Sequence, residues 1–223
     1  MKNQYIIIVA GGTGTRMQSE LPKQFLELNG EAIIIKTIKK FLSFNAQIKI
    51  IVVIHQNYQE LFNHLIKTSG IVSKNIEVTF GGEKRFESVK NGLNLVQDLD
   101  AIVGIHDAAR PFVSLKTITN CFEQAEIFNN AIPCISIHES IRQIEVNRNF
   151  IANRDAFKII QTPQCFRVSK IKKAFEQNYQ ASFTDDASVF ETLGEKIHLV
   201  EGNIENIKIT SPFDLIVAKA IEP

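Results

Sequence analysis

Residues 5–16 read YIIIVAGGTGTR, an apolar run that ends directly in a glycine-rich loop. The run at 5–10 is continuously apolar and rich in β-branched residues, as expected of a strand that is covered on both faces. Similar runs recur at 48–54, 76–80, 101–106 and 131–137. The opening stretch therefore predicts a buried strand followed by a turn whose backbone can approach a ligand closely.

Between these runs, apolar residues recur at helical spacing, for example Ile34, Ile38 and Phe41. Strands that alternate with amphipathic helices form βαβ units. We therefore expect an α/β, Rossmann-like fold, with a largely parallel sheet flanked by helices, in a single domain over residues 1–223. Because ligands of such sheets bind beyond the carboxyl ends of the strands, the loops after Ala10, Phe80 and His106 should face one cleft. Further helices are expected at 168–180, 185–193 and 212–221.

The segment 138–160 breaks this alternation. Apolar residues such as Ile144 and Phe150 flank the polar centre Asn147-Arg148-Asn149, which predicts a β-hairpin that projects from the sheet. An isolated hairpin is marginally stable in water, so its apolar face should pack against another protein surface. Two interpretations stay open, namely a dimerisation arm and a hairpin that folds back onto its own domain.

Composition excludes several classes of protein. With 44% hydrophobic and 22% charged residues in 223, the chain is unlike disordered, collagenous or coiled-coil proteins. A net charge of +1 without a basic stripe argues against a nucleic-acid partner. We expect no membrane span and no signal peptide, since the apolar runs are too short. Three cysteines without metal-ligand spacing, Cys121, Cys134 and Cys165, favour reduced thiols in a cytoplasmic protein.

The glycine loop has the composition of a phosphate-binding turn. Its successive N–H groups can face phosphate oxygens, but no Gly-Lys-Ser/Thr sequence closes it as a Walker A loop. Met17 stands where a dinucleotide-binding fingerprint needs a small residue, which disfavours a nicotinamide-dependent dehydrogenase. Arg16 and Lys23 place two cations near the loop, as a triphosphate would require. The alternative is a tight strand-to-helix turn with solvated cations.

Two later loops also follow predicted strands. Around Gly81-Gly82, the first-turn N–H groups and the Ser88 hydroxyl could contact a base or a sugar, although helix capping accounts for the same residues. After the strand at 101–106, Asp107 is the candidate ligand for Mg²⁺ or another divalent cation. His106 lacks a second metal ligand, so we expect a packed, hydrogen-bonded histidine. Arg110 either binds an anion or pairs with a nearby carboxylate.

These motifs occur in an order that resembles the 2-C-methyl-D-erythritol 4-phosphate cytidylyltransferase family, and the resemblance runs nearly end to end. Glycine loops are shared by many sugar-phosphate nucleotidyltransferases, and the later motifs make this resemblance specific. The residues that carry it are the loop with Arg16, Pro22-Lys23-Gln24, Gly81-Gly82, the motif at 106–111, Thr162-Pro163-Gln164, Thr184-Asp185-Asp186-Ala187-Ser188 and the motif ENIKIT at 205–210.

The resemblance implies transfer of CMP from CTP to 2-C-methyl-D-erythritol 4-phosphate, with release of pyrophosphate, in a magnesium-dependent homodimer. It implies that Arg16 and Lys23 stabilise charge on the α-phosphate, and that Arg154 and Lys208 position the attacking phosphate. Implied CTP contacts are Ala10, Gly11, Gly12, Gly82, Glu83, Ser88 and Ala108, and implied contacts with the second substrate or the metal are Asp107, Arg110, Ser140 and Thr184. In the family the arm reaches across the dimer, so Ser140 and Arg154 would serve the neighbouring subunit.

Other functions share part of this pattern. Ribitol-5-phosphate cytidylyltransferases have a similar glycine loop and a similar ending at 206–210, whereas Ala108-Ala109 and the motif at 185–188 favour methylerythritol phosphate. A non-catalytic nucleotide-binding regulator is a further alternative. It would need neither the pair of phosphate-stabilising cations nor Lys208.

Overall fold

The computed structural model of the chain describes residues 3–12 and 21–222. Its first strand, β1 (Gln4–Ala10), pairs in parallel with β4 (Lys49–Ile54) on one side and with β6 (Ile102–Asp107) on the other. Beyond β4, the strand β5 (Ile76–Phe80) continues the sheet in parallel. The stretch that opens the sequence therefore forms a strand in the middle of the parallel part of the sheet, and its burial confirms the predicted buried strand.

The rest of this sheet is formed by later strands. In the described residues it contains eight strands, and beyond β6 the strand order is β11, β7, β10, with β12 also paired to β7. The strands β10 and β11 run antiparallel to their neighbours, whereas β12 is parallel to β7. These strands are β7 (Asn130–Ser136), β10 (Lys158–Ile160), β11 (Gln164–Arg167) and β12 (Leu199–Glu201).

Helices cover both faces of the sheet. Ile6 and Ile8 of β1 pack in the same buried cluster as α1 and α4, while Ile7 packs with α3 and α5 on the other face. At Gly92 in α3, a Cβ atom would lie 2.8 Å from Ile7 Cγ2, so glycine allows this helix to approach β1 closely. The helices are α1 (Ile33–Phe44), α2 (Gln59–Thr68), α3 (Arg85–Leu95), α4 (Leu115–Phe128), α5 (Val168–Ala174), α6 (Asp186–Glu191) and α7 (Pro212–Ile221).

One predicted helix is shorter than expected. The pattern at 168–180 predicted one continuous helix, but α5 ends at Ala174. Phe175 is buried, and its ring stacks on that of Phe86 in α3 with 4.7 Å between the centroids. Phe175 is therefore held against α3 at the point where α5 ends, a contact that helical spacing within 168–180 does not show.

The predicted hairpin is present and projects from the domain. It consists of β8 (Arg142–Glu145) and β9 (Arg148–Ile151), and every residue of both strands is exposed. Val146 at the turn is 98% exposed, and Ile151 is 84% exposed. The hairpin does not fold back onto its own domain. A smaller hairpin joins β2 (Glu27–Leu28) to β3 (Glu31–Ala32).

Across residues 3–12 and 21–222, none of the helices combines the length and apolar character that a membrane-spanning helix requires.

Candidate active site

A cavity of about 250 Å³ opens at the carboxyl ends of β1 and β6. The loops that follow β1, β5 and β6 all contribute to its wall, which confirms the expectation that they face one cleft. Two further segments complete the wall, one after the glycine loop and one before α7. The described residues that line the cavity are Val9, Ala10, Gly11, Gly12, Lys23, Gln24, Gly82, Glu83, Lys84, Arg85, Ser88, Asp107, Ala108, Ala109, Lys208 and Thr210.

Gln24 holds the start of the glycine loop in place. The residue is 3% exposed, and its Nε2 donates to the carbonyl oxygens of Ala10 at 2.7 Å and Gly12 at 3.0 Å. The adjacent Lys23 begins a short 3₁₀ helix and lines the cavity. Arg16, the other predicted cation of this loop, lies outside the described residues.

The second loop is packed tightly against the start of α3. The buried Ser88 hydroxyl accepts from the backbone N–H of Gly82 at 3.2 Å and donates to the Lys84 carbonyl at 3.1 Å. Glu87 accepts from the backbone N–H of Lys84 at 2.9 Å, the helix-capping contact that sequence reasoning gave as the alternative. A Cβ atom at Gly82 would lie 2.4 Å from Glu87 Cβ, so the turn requires glycine there.

Asp107 ends β6, and three cationic side chains of the described residues surround its carboxylate. Oδ2 lies 3.0 Å from Lys208 Nζ and 3.2 Å from Arg110 Nε, while Oδ1 lies 3.7 Å from Arg85 Nε. Burial by itself raises the pKa of a carboxyl group, but Arg85, Lys208 and Arg110 together bring the pKa of Asp107 well below its usual range. Asp107 is therefore ionised at physiological pH.

Lys208 reaches the cavity because its segment is tied to the loop after β6. Arg110 Nη1 donates to the carbonyl oxygen of Asn206 at 2.8 Å, and the backbone N–H of Ile209 donates to the carbonyl of Ala109 at 2.9 Å. These two hydrogen bonds bracket Lys208 on either side. They direct it towards the cavity, where its ammonium group pairs with Asp107 although the side chain stays 39% exposed.

His106 is buried below the site and is packed, as expected. Its Nε2 lies 3.0 Å from the Arg110 carbonyl oxygen, which can only accept, so Nε2 carries the proton. Nδ1 then accepts from the Thr162 hydroxyl at 3.0 Å, and Thr162 Oγ1 accepts from the backbone N–H of Asp107 at 3.1 Å. Burial lowers the pKa of His106 to about 4, so the ring is neutral at pH 7. His106 shapes the turn that presents Asp107.

Arg85 is a site residue that sequence reasoning did not single out. Its Nη1 and Nη2 donate to the two carboxylate oxygens of Asp186, each at 2.7 Å, in a bidentate pair. Burial lowers the pKa of an arginine, but the charge of Asp186 raises that of Arg85 above its usual value. The two residues are 101 positions apart, so no local pattern could have paired them.

A family model described as 2-C-methyl-D-erythritol 4-phosphate cytidylyltransferase matches residues 4–222. The chain belongs to this family. The Bacteroides fragilis enzyme of the same name is 45% identical over 215 residues, which is 96% of this chain and 97% of the relative. The solved structure of the Francisella tularensis 2-C-methyl-D-erythritol 4-phosphate cytidylyltransferase is 34% identical and has a TM-score of 0.80 over 98% of this chain and 99% of that one. The 4-diphosphocytidyl-2C-methyl-D-erythritol synthase of Anaerococcus prevotii has a TM-score of 0.85 at 27% identity, covering 99% and 96%.

The cavity of this cytidylyltransferase brings together most of the predicted site residues. Arg110 is an exception, because it does not line the cavity. It forms an ion pair with Asp107, one of the two roles that the sequence left open for it. The predicted residues that line the cavity are Ala10, Gly11, Gly12, Lys23, Gly82, Glu83, Ser88, Asp107, Ala108 and Lys208.

Three predicted substrate residues lie away from the cavity of their own chain. Ser140 and Arg154 are exposed on the arm segment, where Arg154 Nη1 donates to the His138 carbonyl. Thr184 is exposed beside a smaller cavity of about 100 Å³. It was also a candidate N-cap, but α6 is capped by Asp185 instead. The substrate roles of these three residues stay predictions.

The described residues offer few carboxylates for a metal ion. They contain no group of three or more His, Cys, Asp or Glu side chains arranged to hold one. Glu83 and Asp107 line the cavity, and Asp107 already faces three cations. Mg²⁺ at nucleotide sites is commonly bound by one or two carboxylates together with substrate phosphates and water. The residues therefore fit an ion that the triphosphate itself chiefly holds, with Asp107 as the predicted protein ligand.

Proposed function

We propose that the chain transfers CMP from CTP to 2-C-methyl-D-erythritol 4-phosphate, releasing pyrophosphate and forming 4-diphosphocytidyl-2-C-methyl-D-erythritol for non-mevalonate isoprenoid biosynthesis. The observation that carries this proposal is the single cavity in which the glycine loop, Lys23, Lys208 and Asp107 meet. Its described wall holds four cationic side chains and two carboxylates, which makes it net positive and complementary to a triphosphate.

The glycine loop supplies the triphosphate side of this site. Gln24 engages the carbonyl oxygens of Ala10 and Gly12, so these partial negative charges are already neutralised when phosphates approach. We propose that the backbone N–H groups of Gly11 and Gly12 donate to the phosphate oxygens. Lys23 contributes a full positive charge beside the same loop.

The reaction is a displacement at the α-phosphorus of CTP. A phosphate oxygen of methylerythritol phosphate forms a bond to this phosphorus while the bond to the bridging oxygen of the β-phosphate breaks, and pyrophosphate leaves. The acceptor phosphate is already largely ionised at pH 7, so no general base is required. Lys23, and Arg16 by family resemblance, stabilise the charge that develops on the α-phosphate, while Lys208 orients the acceptor beside Asp107.

We further propose magnesium as the cofactor. When bound, Mg²⁺ would neutralise phosphate charge and orient the triphosphate. Asp107, which lines the cavity, is the protein carboxylate proposed to hold it. Titration of the enzyme with EDTA and then with Mg²⁺ tests this proposal. Turnover that is unaffected by removal of divalent cations would contradict it.

We propose a homodimer in which the arm serves the neighbouring cavity. The exposed apolar residues of the hairpin, among them Val146 and Ile151, support this proposal because they lack cover within the chain. Mixing two inactive variants, Lys23→Ala and Arg154→Ala, gives a direct test. If the arm acts across the dimer, mixed dimers have one intact site, and the mixture should recover about one quarter of wild-type activity after subunit exchange. No recovery in confirmed mixed dimers would place the arm and cavity of one chain in the same site.

A cytoplasmic location is also proposed. Cys121, Cys134 and Cys165 are free thiols, as is usual for proteins of a reducing compartment.

A pyrophosphate-release panel tests the activity. It crosses CTP, UTP, ATP and GTP with methylerythritol, ribitol and hexose phosphates. Release that requires CTP and methylerythritol phosphate is the expected result. Preferential use of ribitol phosphate, or nucleotide binding without release, would contradict the proposal.

A further inference from the structure

The strongest unexplained feature of the site is the buried ion pair between Arg85 and Asp186. Asp186 does not line the main cavity, and its side chain is 1% exposed. A buried ion pair is expensive to form, because two charges leave water, and it is weak evidence for a role in stability. Because the pair lies beside Asp107, a role in the active site accounts for it better than a role in stability.

The guanidinium of Arg85 faces two carboxylates at once. Both terminal nitrogens are taken by Asp186, which fixes the plane of the group, and Nε then faces Oδ1 of Asp107 at 3.7 Å. Lys208 and Arg110 both contact Oδ2. Among the described cations, Arg85 is therefore the one placed to restrain the second oxygen of Asp107.

Asp186 is itself held rigidly with respect to the sheet. It is the first residue of α6, directly after the capping residue Asp185. The buried Gln164 of β11 donates to Asp185 Oδ2 at 2.8 Å and accepts from the backbone N–H of Ala187 at 2.9 Å. The strand β11 pairs with β6, which ends in Asp107. The sheet therefore fixes the distance between Asp107 and the start of α6, where Asp186 lies.

We infer that Asp186 is a positioning residue, which acts through Arg85 to orient the carboxylate of Asp107 for the acceptor substrate. The inference rests on the proposed function, in which Lys208, paired with Asp107, orients the acceptor phosphate. It assigns to Asp186 no contact with either substrate. Loss of the pair should therefore weaken use of the acceptor more than use of CTP.

Steady-state kinetics of Asp186→Asn test this inference. Asparagine keeps the shape of the side chain but removes its charge and one acceptor of the bidentate pair. We expect the KM for methylerythritol phosphate to rise about tenfold, the scale of losing one charge-assisted hydrogen bond, while the KM for CTP changes much less. An unchanged acceptor KM in the folded variant would overturn the inference, as would an equal rise in both KM values.

Arg85→Lys is the second variant, because removing one partner of a buried pair can prevent folding. Lysine keeps the charge but cannot make the bidentate contact, so the same selective rise in acceptor KM is expected. If Asp186→Asn does not fold, the result with Arg85→Lys decides. In the double variant, the rise should be no larger than in either single variant, because both changes break one linkage. Additive effects would overturn the inference.

Lys170→Met serves as the matched control. It removes an ion pair with Glu195, in which both side chains are about one-third exposed and neither lines the cavity. We expect both KM values to stay at the wild-type level. Wild-type protein without turnover would instead overturn the proposed function, and with it the role of Asp186. That outcome is distinct from an active wild type with unaffected variants.

Discussion

The buried His106 gives the protein a specific dependence of stability on pH. In the folded chain burial lowers the pKa of this ring to about 4, from an ordinary value of 6.5. As the pH falls through 6.5, the unfolded chain therefore binds a proton before the folded chain does. The free energy of unfolding falls through this window, and the loss is complete below pH 4.

The size of the effect follows from these two pKa values. Between pH 7 and pH 5 the unfolded chain becomes almost fully protonated at this residue, while the folded chain stays neutral, which costs about 2 kcal/mol. Replacement by glutamine removes the titration and keeps an amide donor for the Arg110 carbonyl. His106→Gln should therefore lose about 2 kcal/mol less than wild type over the same interval.

Urea denaturation of both proteins at pH 7 and pH 5 measures this difference. Other titrating groups are common to the two proteins and cancel in the comparison. The comparison uses unfolding free energies from linear extrapolation, with equal slopes as the check that both proteins unfold alike. Parallel losses in wild type and His106→Gln would refute the reasoning, since His106 would then not be neutral and buried in the folded state.

Three further predictions concern the cavity wall. Gln24→Glu removes both donors to the loop carbonyls and adds a negative charge, so we expect the KM for CTP to rise at least about tenfold, as measured by pyrophosphate release. Gly82→Ala places a methyl group against Glu87 and shifts the loop. This change should raise the KM for CTP more than the KM for the acceptor, and unchanged kinetics would show that the turn tolerates a side chain. Lys208→Met leaves Asp107 with two arginines and should raise the acceptor KM by about tenfold, and equal use of the acceptor by wild type and variant would contradict that role.

The parallel part of the fold could be predicted because its signals are local. Continuous apolar runs mark β1, β4 and β6, and the structure buries them on both faces. The loops that follow β1, β5 and β6 then had to meet, because parallel strands bring their carboxyl ends to one edge. This local reasoning is sufficient to place the cavity and most of its wall.

The part of the sheet beyond β6 could not be predicted in the same way. The strands β10 and β12 contain three residues each, too few to show a periodicity. Their pairing with β7 depends on contacts between distant parts of the chain. The contact of Phe175, which directly follows α5, with Phe86 likewise joins distant parts of the chain.

The ion pairs of the site could not be predicted from the sequence either. Asp107 was recognised from its position after a strand, but its three cationic neighbours come from separate segments. The sequence left Arg110 either as an anion-binding residue or as the partner of a carboxylate, and the structure shows the ion pair with Asp107. The partnership of Arg85 with Asp186 needed the fold, because only the sheet brings these two residues together.

The turnover of Lys23→Ala tests the central claim most directly, since this claim places CMP transfer at the cavity beside the glycine loop. With CTP and methylerythritol phosphate, we expect kcat to fall by about 10²- to 10³-fold, the cost typical of losing one group that stabilises transition-state charge. Lys116→Ala is the matched control, because its side chain is 83% exposed and lies outside the cavity wall. A folded Lys23→Ala protein with a kcat close to that of wild type would contradict the account.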